Sequence, residues 1–322
     1  MTAQPGTRVL KADRDAIAAA ARCLAEGGLV AFPTETVYGL GADASHGETV
    51  ARLYAAKGRP AFNPLIAHVA DIDAARGVGV FTPATEKLAA AFWPGPLTLV
   101  LAKQPDCGVA DLALAGLDTV AVRVPAHPVA HALLEAFHGP IVAPSANRSG
   151  HVSPTSATHV LADLRGRIDL VIDAGPCEVG VESTIVSCTD EPTLLRPGGI
   201  AREAIEHALG TTLATAAPTD EAPLAPGMLT SHYAPKATLR LDADAAQPGE
   251  ALLAFGHAPS FPGTTFNLSP RGDLIEAAAN LFSHLRALDA SGAQRIAVMK
   301  VPHDGLGEAI NDRLKRAAAP KR

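Results

Sequence analysis

The chain has few aromatic side chains and no excess of positive charge. Only 4% of its 322 residues are Phe, Trp or Tyr, and the formal net charge at pH 7 is −6. RNA-binding surfaces that stack bases need aromatic faces, and a general nucleic-acid coat needs Lys and Arg in excess. The composition therefore disfavours such a coat, although net charge leaves a local basic cleft open because it says nothing about distribution.

Cysteine clusters and long apolar runs are also missing. The four cysteines lie far apart, at Cys23, Cys107, Cys177 and Cys188, and form no Cys-x-x-Cys pair. This spacing favours a reduced protein without a structural zinc site. The N-terminus MTAQPGTRVLKADRD has no apolar signal core, and no uninterrupted 18-residue apolar run occurs. We therefore expect a cytoplasmic protein that makes no membrane contact.

The common nucleotide-binding and catalytic signatures are absent as well. The sequence has no G-x-x-x-x-G-K-[ST] phosphate loop, no G-x-G-x-x-G after a strand, no H-E-x-x-H and no G-x-S-x-G. His127 and His131 have the i, i+4 spacing of a metal pair, but we find no carboxylate or third ligand beside them and interpret them as a helix-surface pair. We expect no metal ligands from the protein, and any nucleotide site must be built from other elements.

The sequence does contain ample apolar material, arranged as alternating helices and strands. Apolar residues make up 48% of the chain, which is enough for packed cores. LVAF (29–32), LTLVLA (97–102) and TVAVRV (119–124) have the composition of buried strands, and GETVARLYAAK (47–57) has helical periodicity. Because strands and helices do not alternate strictly, we predict an α/β fold with a mixed sheet covered by helices.

The composition changes after Gly210, which predicts a division of the chain. Residues 211–236 are rich in Ala, Pro and Thr and have little periodicity, so we interpret them as a linker between domains at 1–210 and 237–322. The linker ends in SHYAPK (231–236), whose aromatic and cationic side chains are unusual for a spacer. A docking contact between domains is one explanation, and a functional contact is the other.

The segment KGRPAFNPLIAHV (57–69) is the best candidate for an anion site. Lys57 and Arg59 lie where a helix is predicted to end, and cations there gain roughly 0.3–1 kcal/mol each from the helix dipole. A stiff turn that presents these cations beside Asn63 and His68 would also suit a polyphosphate. The segment alone leaves both interpretations open.

Polar groups recur at three further strand ends. Arg123 alternates with valines in TVAVRVP, which suits either a solvated sheet face or a bidentate clamp for a carboxylate. APSANRSGHVSPTSA (143–157) carries more polar groups than one helix cap needs, and a helix N-terminus behind them would favour phosphate. These groups are Ser145, Asn147, Arg148, Ser149, Ser153 and Thr155. VESTIV and LLRPGG add Glu182, Ser183, Thr184 and Arg196.

Seven polar or glycine- and proline-rich segments follow one another along the chain: PTETVYGLG, KGRPAFNPL, WPGPLTLVL, TVAVRVP, APSANRSG, VESTIV and LLRPGG. Taken together and in this order, they resemble the YrdC-type threonylcarbamoyl-AMP synthase family, and the resemblance spans about residues 13–210. The linker and the following α/β unit resemble the longer, two-domain branch. The family fold implies a twisted open mixed sheet with a large concave cavity in a catalytic domain at 1–210. It also implies a linker that reaches over the active site and a smaller Rossmann-like α/β domain.

The resemblance also implies roles for particular residues. The threonine side would comprise Thr36, His68, Arg123, Ser145 and Ser183, with Arg123 on the substrate carboxylate. The ATP side would comprise Lys57, Arg59, Asn63, Thr119, Asn147, Thr155, Arg196 and Tyr233. Lys57 and Arg59 would be catalytic, Tyr233 would close over the nucleotide, and Ser153 rivals Thr155 because the register of their loop is open.

The implied reaction joins L-threonine, bicarbonate or CO2, and ATP into threonylcarbamoyl-AMP and pyrophosphate, with Mg2+ accompanying ATP. A separate transferase would use the product to modify adenosine 37 of tRNAs that read codons beginning with A, with at most a weak or transient tRNA contact here. Two alternatives stay open. One is an RNA- or ribosome-binding module that uses the same concave fold. The other is a carbamoyl-adenylate activity like that of hydrogenase-maturation proteins.

Overall fold

The computed structural model describes residues 6–216, 224–227 and 233–320, which form two sheets covered by helices. The strands are β1 (Arg8–Lys11), β2 (Val30–Pro33), β3 (Tyr38–Asp43), β4 (Ile66–His68), β5 (Leu97–Ala102), β6 (Thr119–Arg123), β7 (Ile141–Val142), β8 (Leu170–Asp173), β9 (Thr184–Ser187), β10 (Thr193–Arg196), β11 (Ala214–Thr215), β12 (Thr238–Arg240), β13 (Ala251–Ala254), β14 (Thr265–Asn267) and β15 (Arg295–Val298). The helices are α1 (Arg14–Ala25), α2 (Gly47–Lys57), α3 (Ile72–Val78), α4 (Pro83–Phe92), α5 (Asp111–Leu114), α6 (Pro128–Phe137), α7 (Ala157–Leu164), α8 (Arg202–Leu209), α9 (Leu274–Ala290) and α10 (Gly307–Ala318).

Local sequence signals fix the helix ends. The side chain of Asp13 accepts a hydrogen bond from the Ala16 backbone N–H and so caps α1, as its place before an alanine-rich run predicts. Helix α2 covers the predicted span and ends at Gly58, whose φ of 60° is the left-handed conformation that glycine adopts without steric cost. The loop that carries Arg59 therefore leaves α2 at a defined point.

The larger sheet is mixed, as predicted. Its order is β1-β8-β2-β3-β7-β4-β6-β5-β9-β10-β11, with parallel pairs such as β4–β6 and β5–β9 beside antiparallel pairs such as β5–β6 and β9–β10. The register of β4 and β6 places His68 directly opposite Arg123. Two polar residues from distant parts of the sequence thus meet at one strand end.

Strand β3 is an element that the sequence patterns did not predict. It pairs antiparallel with β2, and a side chain at Gly41 would meet Phe32 at 2.8 Å and the Val30 carbonyl at 3.2 Å. A side chain at Gly39 would meet Ala143 at 3.2 Å. The glycines of PTETVYGLG are therefore explained by the close approach of residues on neighbouring strands and loops, which leaves no room for a side chain. The segment lacks the usual composition of a strand.

The smaller sheet is parallel throughout, in the order β12-β15-β13-β14, and packs against α9 and α10. Its apolar core includes the fully buried Leu281, Phe282 and Leu285 of α9. Val152 and Val181, which precede residue 210, are buried in the same cluster. The two sheets are therefore joined by continuous apolar packing.

The predicted linker (211–236) is only partly described. Ala214–Thr215 form β11 alongside β10, so the start of this segment adds a short strand where no regular structure was expected. Residues 224–227 and 233–236 lie against the rest of the protein, whereas 217–223 and 228–232 lie outside the described residues. No helix among the described parts is long and apolar enough to cross a membrane.

Candidate active site

A narrow cavity of about 50 Å³ lies at the ends of β4 and β6, beneath the linker. It brings together eight of the predicted site residues, which come from seven separate sequence segments. They are Thr36, Arg59, His68, Arg123, Ser145, Ser183, Arg196 and Tyr233.

Arg123 is buried and held in one orientation. Its Nη2 donates to Glu35 Oε1 at 2.6 Å, its Nη1 donates to Thr36 Oγ1 at 3.0 Å, and its Nε donates to the Gly95 carbonyl at 3.2 Å. Burial disfavours the charged form of Glu35, but the charge and hydrogen bond of Arg123 hold the pKa of this carboxyl below its usual value. Arg123 therefore faces the cavity as a fixed cation, and the alternative of a solvated strand face is wrong.

His68 is neutral in the folded protein. Burial, and then the charge of Arg123, lower the pKa of His68 to about 3. Its Nδ1 lies 3.2 Å from the Ile66 carbonyl, and its ring packs edge-on against Phe32 with centroids 6.5 Å apart. A neutral imidazole beside a fixed guanidinium can contact a ligand without adding a second charge to this end of the cavity.

Ser183 and Arg196 form a second polar cluster. The Ser183 hydroxyl lies 2.7 Å from Thr98 Oγ1 and accepts from Arg196 Nη2 at 3.1 Å. Arg196 also donates to the Ser183 carbonyl at 2.8 Å and to the Pro226 carbonyl of the linker at 3.2 Å. The arginine thus ties β10 to both Ser183 and the linker at Pro226.

Lys57 and Arg59 occupy different environments. Arg59 lines the cavity and donates to the Pro64 carbonyl at 3.0 Å, and burial lowers its pKa to about 10, so it stays charged at neutral pH. Lys57 does not line the cavity. Its ammonium donates to the carbonyls of Ser145 and Asn147 at 2.6 Å and 2.5 Å, and burial, followed by the charge of Arg59, lowers its pKa well below the usual value. Lys57 therefore fastens the loop at residues 145–147 to the end of α2.

Two buried amides near these cations have unused acceptors. Asn63 Oδ1 and Asn147 Oδ1 have no hydrogen-bond partner among the described residues. The Asn147 amide nitrogen donates to the carbonyls of Arg148 and His151, so its orientation leaves the oxygen as the open acceptor. Buried polar atoms without a partner are rare and call for an explanation, and a bound ligand with N–H or O–H donors supplies one.

The remaining predicted residues lie outside the lining of the cavity. Thr119 begins β6 and shares the face of Arg123 by alternation, four residues away. The hydroxyl of Thr155 lies 3.4 Å from His159 Nδ1, whereas Ser153 donates to Glu182 Oε1 at 2.5 Å. Because Glu182 lines the cavity, the structure places Ser153 closer to the site's hydrogen-bond network than Thr155.

The sequence patterns gave no role to Glu35 and missed the participation of Arg313. Glu35 could have been recognised as the carboxylate between two threonines in PTETVYGLG, the partner that a buried Arg123 requires. Arg313 of α10 donates to Glu182 Oε2 at 2.8 Å. No local signal marks it, because it lies on an amphipathic helix where an arginine normally faces water.

The histidine pair has an ordinary structural explanation. The ring of His127 accepts from the Val129 backbone N–H and caps α6, and His131 pairs with Glu135 at 3.5 Å on the helix surface. Glu135 is thus a carboxylate beside His131 that the sequence reading overlooked. Within the described residues, no group of three or more His, Cys, Asp or Glu side chains converges as a metal site would.

Comparisons with known proteins agree with this architecture. The Sua5/YciO/YrdC family model, described as "Telomere recombination", matches residues 22–198, and the model "Threonylcarbamoyl-AMP synthase, C-terminal domain" matches residues 200–319. The threonylcarbamoyl-AMP synthase of Bacillus subtilis is 43% identical over 94% of this chain and 92% of its own length. That of Pyrococcus abyssi is 43% identical over 93% of both.

A solved structure extends the likeness to three dimensions. The crystal structure of P. abyssi Sua5 complexed with L-threonine matches with a TM-score of 0.89, at 39% identity, over 97% of both chains. The second family model covers the C-terminal α/β unit, and both relatives extend through it. The chain therefore belongs to the Sua5/YciO/YrdC family, in the two-domain form that carries the threonylcarbamoyl-AMP synthase C-terminal domain.

Proposed function

We infer that the protein is a threonylcarbamoyl-AMP synthase, a nucleotidyltransferase that forms threonylcarbamoyl-AMP and pyrophosphate from L-threonine, bicarbonate or CO2, and ATP. The observation that carries this inference is the convergence of Arg123, Thr36 and Ser183 with Arg59 and Arg196 around one cavity. Family membership and the threonine complex of a 39% identical structure support it.

The threonine carboxylate fits the end of the cavity at Arg123. A planar guanidinium offers paired donors to a carboxylate, and this one is already fixed by Glu35. The hydroxyls of Thr36 and Ser183 and the neutral ring of His68 line the same space and can contact the amine and hydroxyl groups. Discrimination against serine would depend on contact with one methyl group, which contributes roughly 1–3 kcal/mol.

The nucleotide fits the side of the cavity formed by Arg59 and Arg196. These two cations would neutralise phosphate charge, and the open acceptors of Asn63 and Asn147 would receive donors from the adenosine part. Lys57 lies behind the lining of the cavity, and in the proposal it supports this side by holding the carbonyls of Ser145 and Asn147. Thr119 and either Ser153 or Thr155 complete this side in the proposal.

The linker has to move for ATP to enter. The cavity of about 50 Å³ is far smaller than the roughly 300–1,000 Å³ of typical small-molecule sites. A separate cleft of about 1030 Å³ is lined by Pro60 and Ala234, which are the sequence neighbours of the cavity residues Arg59 and Tyr233. Displacing the linker at Tyr233 would join the two spaces and make room for the nucleotide, and its return would exclude water.

The chemistry then follows from charge. The threonine amine combines with CO2 and loses a proton, which gives an N-carboxylate. One oxygen of this carbamate attacks the α-phosphorus of ATP while the bond to the bridging oxygen breaks and pyrophosphate leaves. Both reactants are anions, so Arg59 and Arg196 are needed to bring them together and to stabilise the charge on the leaving group. Holding the reactants in line supplies much of the remaining acceleration.

Magnesium enters this proposal as part of the substrate MgATP. The carboxylates nearest the cavity are already paired, Glu35 with Arg123 and Glu182 with Arg313, so they form no ligand set for a resident metal. The phosphates would hold the ion, which would supply further charge neutralisation. We also propose that the protein works in the cytoplasm, passes its product to a separate transferase, and contacts tRNA only weakly, in keeping with its net charge of −6.

The direct test is a mass-spectrometric search for threonylcarbamoyl-AMP after incubation with ATP, magnesium, bicarbonate and threonine. We expect a product that requires each component and decreases when serine replaces threonine. Arg59→Ala should abolish turnover, while Arg76→Ala, at an exposed arginine paired with Glu86, should not. A folded wild-type protein that forms no adenylate but binds RNA in a salt-sensitive way would refute the proposal.

A further inference from the structure

Arg313 reaches from the C-terminal α/β unit into the contacts of the catalytic cavity. It lies on α10 and has no solvent exposure, and it is the largest fully buried side chain among the described residues. Its Nε lies 2.8 Å from Glu182 Oε2, and its guanidinium carbon lies 5.2 Å from the centre of the Tyr233 ring. Both contacted residues line the cavity.

Glu182 is a buried carboxylate whose ion-pair partner is this arginine. The carboxylate is buried, and burial by itself would favour the protonated form, but the charge of Arg313 and then that of Arg196 hold the pKa of Glu182 below its usual value. Glu182 directly precedes Ser183, whose carbonyl and hydroxyl both accept from Arg196. The charge balance at Glu182 therefore bears on the position of Arg196.

Tyr233 is also held by the C-terminal unit. Its ring stacks on Phe282 of α9 with centroids 5.5 Å apart and planes at 25°, while the Arg313 guanidinium lies over the same ring. Tyr233 has a φ of 63°, a conformation that a tyrosine adopts only when its surroundings impose it. The aromatic side chain of the linker is thus oriented by two helices that follow it in the sequence.

We propose that Arg313 is a positioning residue for the nucleotide side of the site: it neutralises Glu182, so that Arg196 stays on Ser183, and it orients Tyr233 over the cavity. This proposal rests on the function proposed above. It gives the C-terminal unit a direct part in substrate binding, whereas the sequence suggested only support for the linker.

Loss of Arg313 should affect nucleotide and threonine differently. Without it, the Glu182 carboxylate would lack its nearest cation, and Arg196 would be drawn from the Ser183 carbonyl towards it. Tyr233 would lose its cationic contact at the same time. The clamp for the threonine carboxylate would remain, because Arg123 is held by Glu35 and Gly95, whereas Arg313 bonds to Glu182 and Asp312.

The test measures binding without turnover, by titration calorimetry with a magnesium complex of a non-hydrolysable ATP analogue and, separately, with L-threonine. We expect Arg313→Met to raise the dissociation constant of the analogue about tenfold, or ~1.4 kcal/mol, and that of threonine by no more than about twofold. The matched control is Arg202→Met. It removes another arginine–carboxylate pair between α10 and the larger sheet's helices, Arg202–Glu308 at 2.5 Å, and should leave analogue binding unchanged.

The double variant Glu182→Gln/Arg313→Met tests the charge argument. It removes the charge of Glu182 together with its partner, and Asp312, the other carboxylate on Arg313, keeps its pair with Arg316. It should therefore bind the analogue more tightly than Arg313→Met alone while staying weaker than wild type. If the single variant Arg313→Met does not fold, the single variant Glu182→Gln is compared with the double variant instead. There the lost contact to Tyr233 should still weaken analogue binding by about threefold, or ~0.7 kcal/mol.

Several outcomes would overturn the positioning role. The first is that folded Arg313→Met binds the analogue as tightly as wild type, and the second is that it loses threonine and analogue affinity equally. The third is that Arg202→Met weakens analogue binding as much as Arg313→Met does, which would indicate only weakened docking of the C-terminal unit. The proposed function fails separately. A wild-type protein that binds the analogue but forms no adenylate would refute the synthase and leave the binding test valid, whereas one that binds no analogue would refute both.

Discussion

At the scale of single residues, the site depends on cations whose positions are fixed by buried carboxylates. Arg123 is held by Glu35, and Arg313 is held by Glu182. Removing one partner of a buried ion pair leaves the other charge without compensation and is usually costly. The effect of such a change on binding should therefore be specific to the ligand that each arginine serves.

Glu35→Gln should weaken threonine binding more than ATP binding. The neutral amide keeps the shape of the side chain but reduces the charge-assisted hydrogen bond that orients Arg123. We expect the KM for threonine to rise about tenfold, or ~1.4 kcal/mol, with the KM for ATP changed by no more than about twofold. Steady-state kinetics with each substrate varied in turn measures both values.

The control for this change is Glu86→Gln, which alters a surface carboxylate paired with Arg76 at 2.9 Å. Exposed pairs contribute little, so its kinetics should match wild type. Equal increases in both KM values for Glu35→Gln would contradict a specific role in holding Arg123.

His68 predicts a pH dependence of stability. Its pKa is about 3 in the folded protein against 6.5 for an unperturbed histidine, so the unfolded chain takes up a proton first as the pH falls. The contribution of His68 to the free energy of unfolding is therefore fully present above pH 6.5. It decreases as the pH falls, by up to about 2 kcal/mol at pH 5. His68→Gln should reduce the slope of the free energy of unfolding between pH 7 and pH 5.

Urea unfolding at several pH values measures that slope. His131→Gln, at a histidine on the surface of α6, serves as the control for the substitution itself. The carboxylates Glu35 and Glu182 titrate below this window because their pKa values are lowered. An unchanged slope in His68→Gln would show that His68 does not stay neutral in the folded protein.

At the scale of elements, β3 shows how packing can demand residues that strand propensity disfavours. Gly41 in β3 leaves no room for a side chain, since an added Cβ would meet Phe32 at 2.8 Å and Ile141 at 3.0 Å. Gly47 at the start of α2 has nothing within 4 Å of the corresponding position. The two glycines thus serve different purposes in neighbouring elements.

We expect Gly41→Ala to lower the free energy of unfolding by about 1–3 kcal/mol, because neighbouring side chains and strand backbone have to shift. Gly47→Ala should be neutral or slightly stabilising, since alanine restricts the unfolded chain and favours a helix. Thermal or urea unfolding of the two variants tests the pair. If Gly41→Ala lowers the free energy of unfolding less than Gly47→Ala does, β3 has room for a side chain at Gly41.

At the scale of the whole molecule, the two sheets share apolar packing and buried ion pairs. Val152 and Val181 pack into the cluster around α9, and Arg286 of α9 pairs with Asp163 of α7 at 2.7 Å. The C-terminal unit also contacts Tyr233 and Glu182 at the cavity. Packing of this kind couples the stability of the two units.

Leu285→Ala should therefore destabilise both units together. Leu285 is fully buried on α9, and such a truncation costs about 2–5 kcal/mol. Trp93 is the only tryptophan and lies in the apolar core of the larger sheet, so its fluorescence reports on that unit. We expect the urea midpoints measured by Trp93 fluorescence and by circular dichroism to decrease together. A fluorescence midpoint that stays at the wild-type value would show that the units unfold independently.

Much of the architecture could be predicted from the sequence because it depends on local rules. Asp13, Gly58 and the apolar periodicity of residues 47–57 fix helix ends and faces, and the alternation in TVAVRV indicates β6. The ordered motifs identified the family and gathered most of the cavity residues. The linker's course at 217–223 and 228–232 stays a prediction.

Tertiary structure decided the rest, since it depends on which distant residues meet. Strand β3 was missed because its glycines are required by close contact with Phe32 and Ile141, which lie outside the local sequence pattern. The sequence placed Lys57 at a helix end, but only the fold showed its ammonium on the carbonyls of the 145–147 loop. Arg313 lies 131 positions from Glu182, and a pair so far apart is created by the docking of one α/β unit on the other.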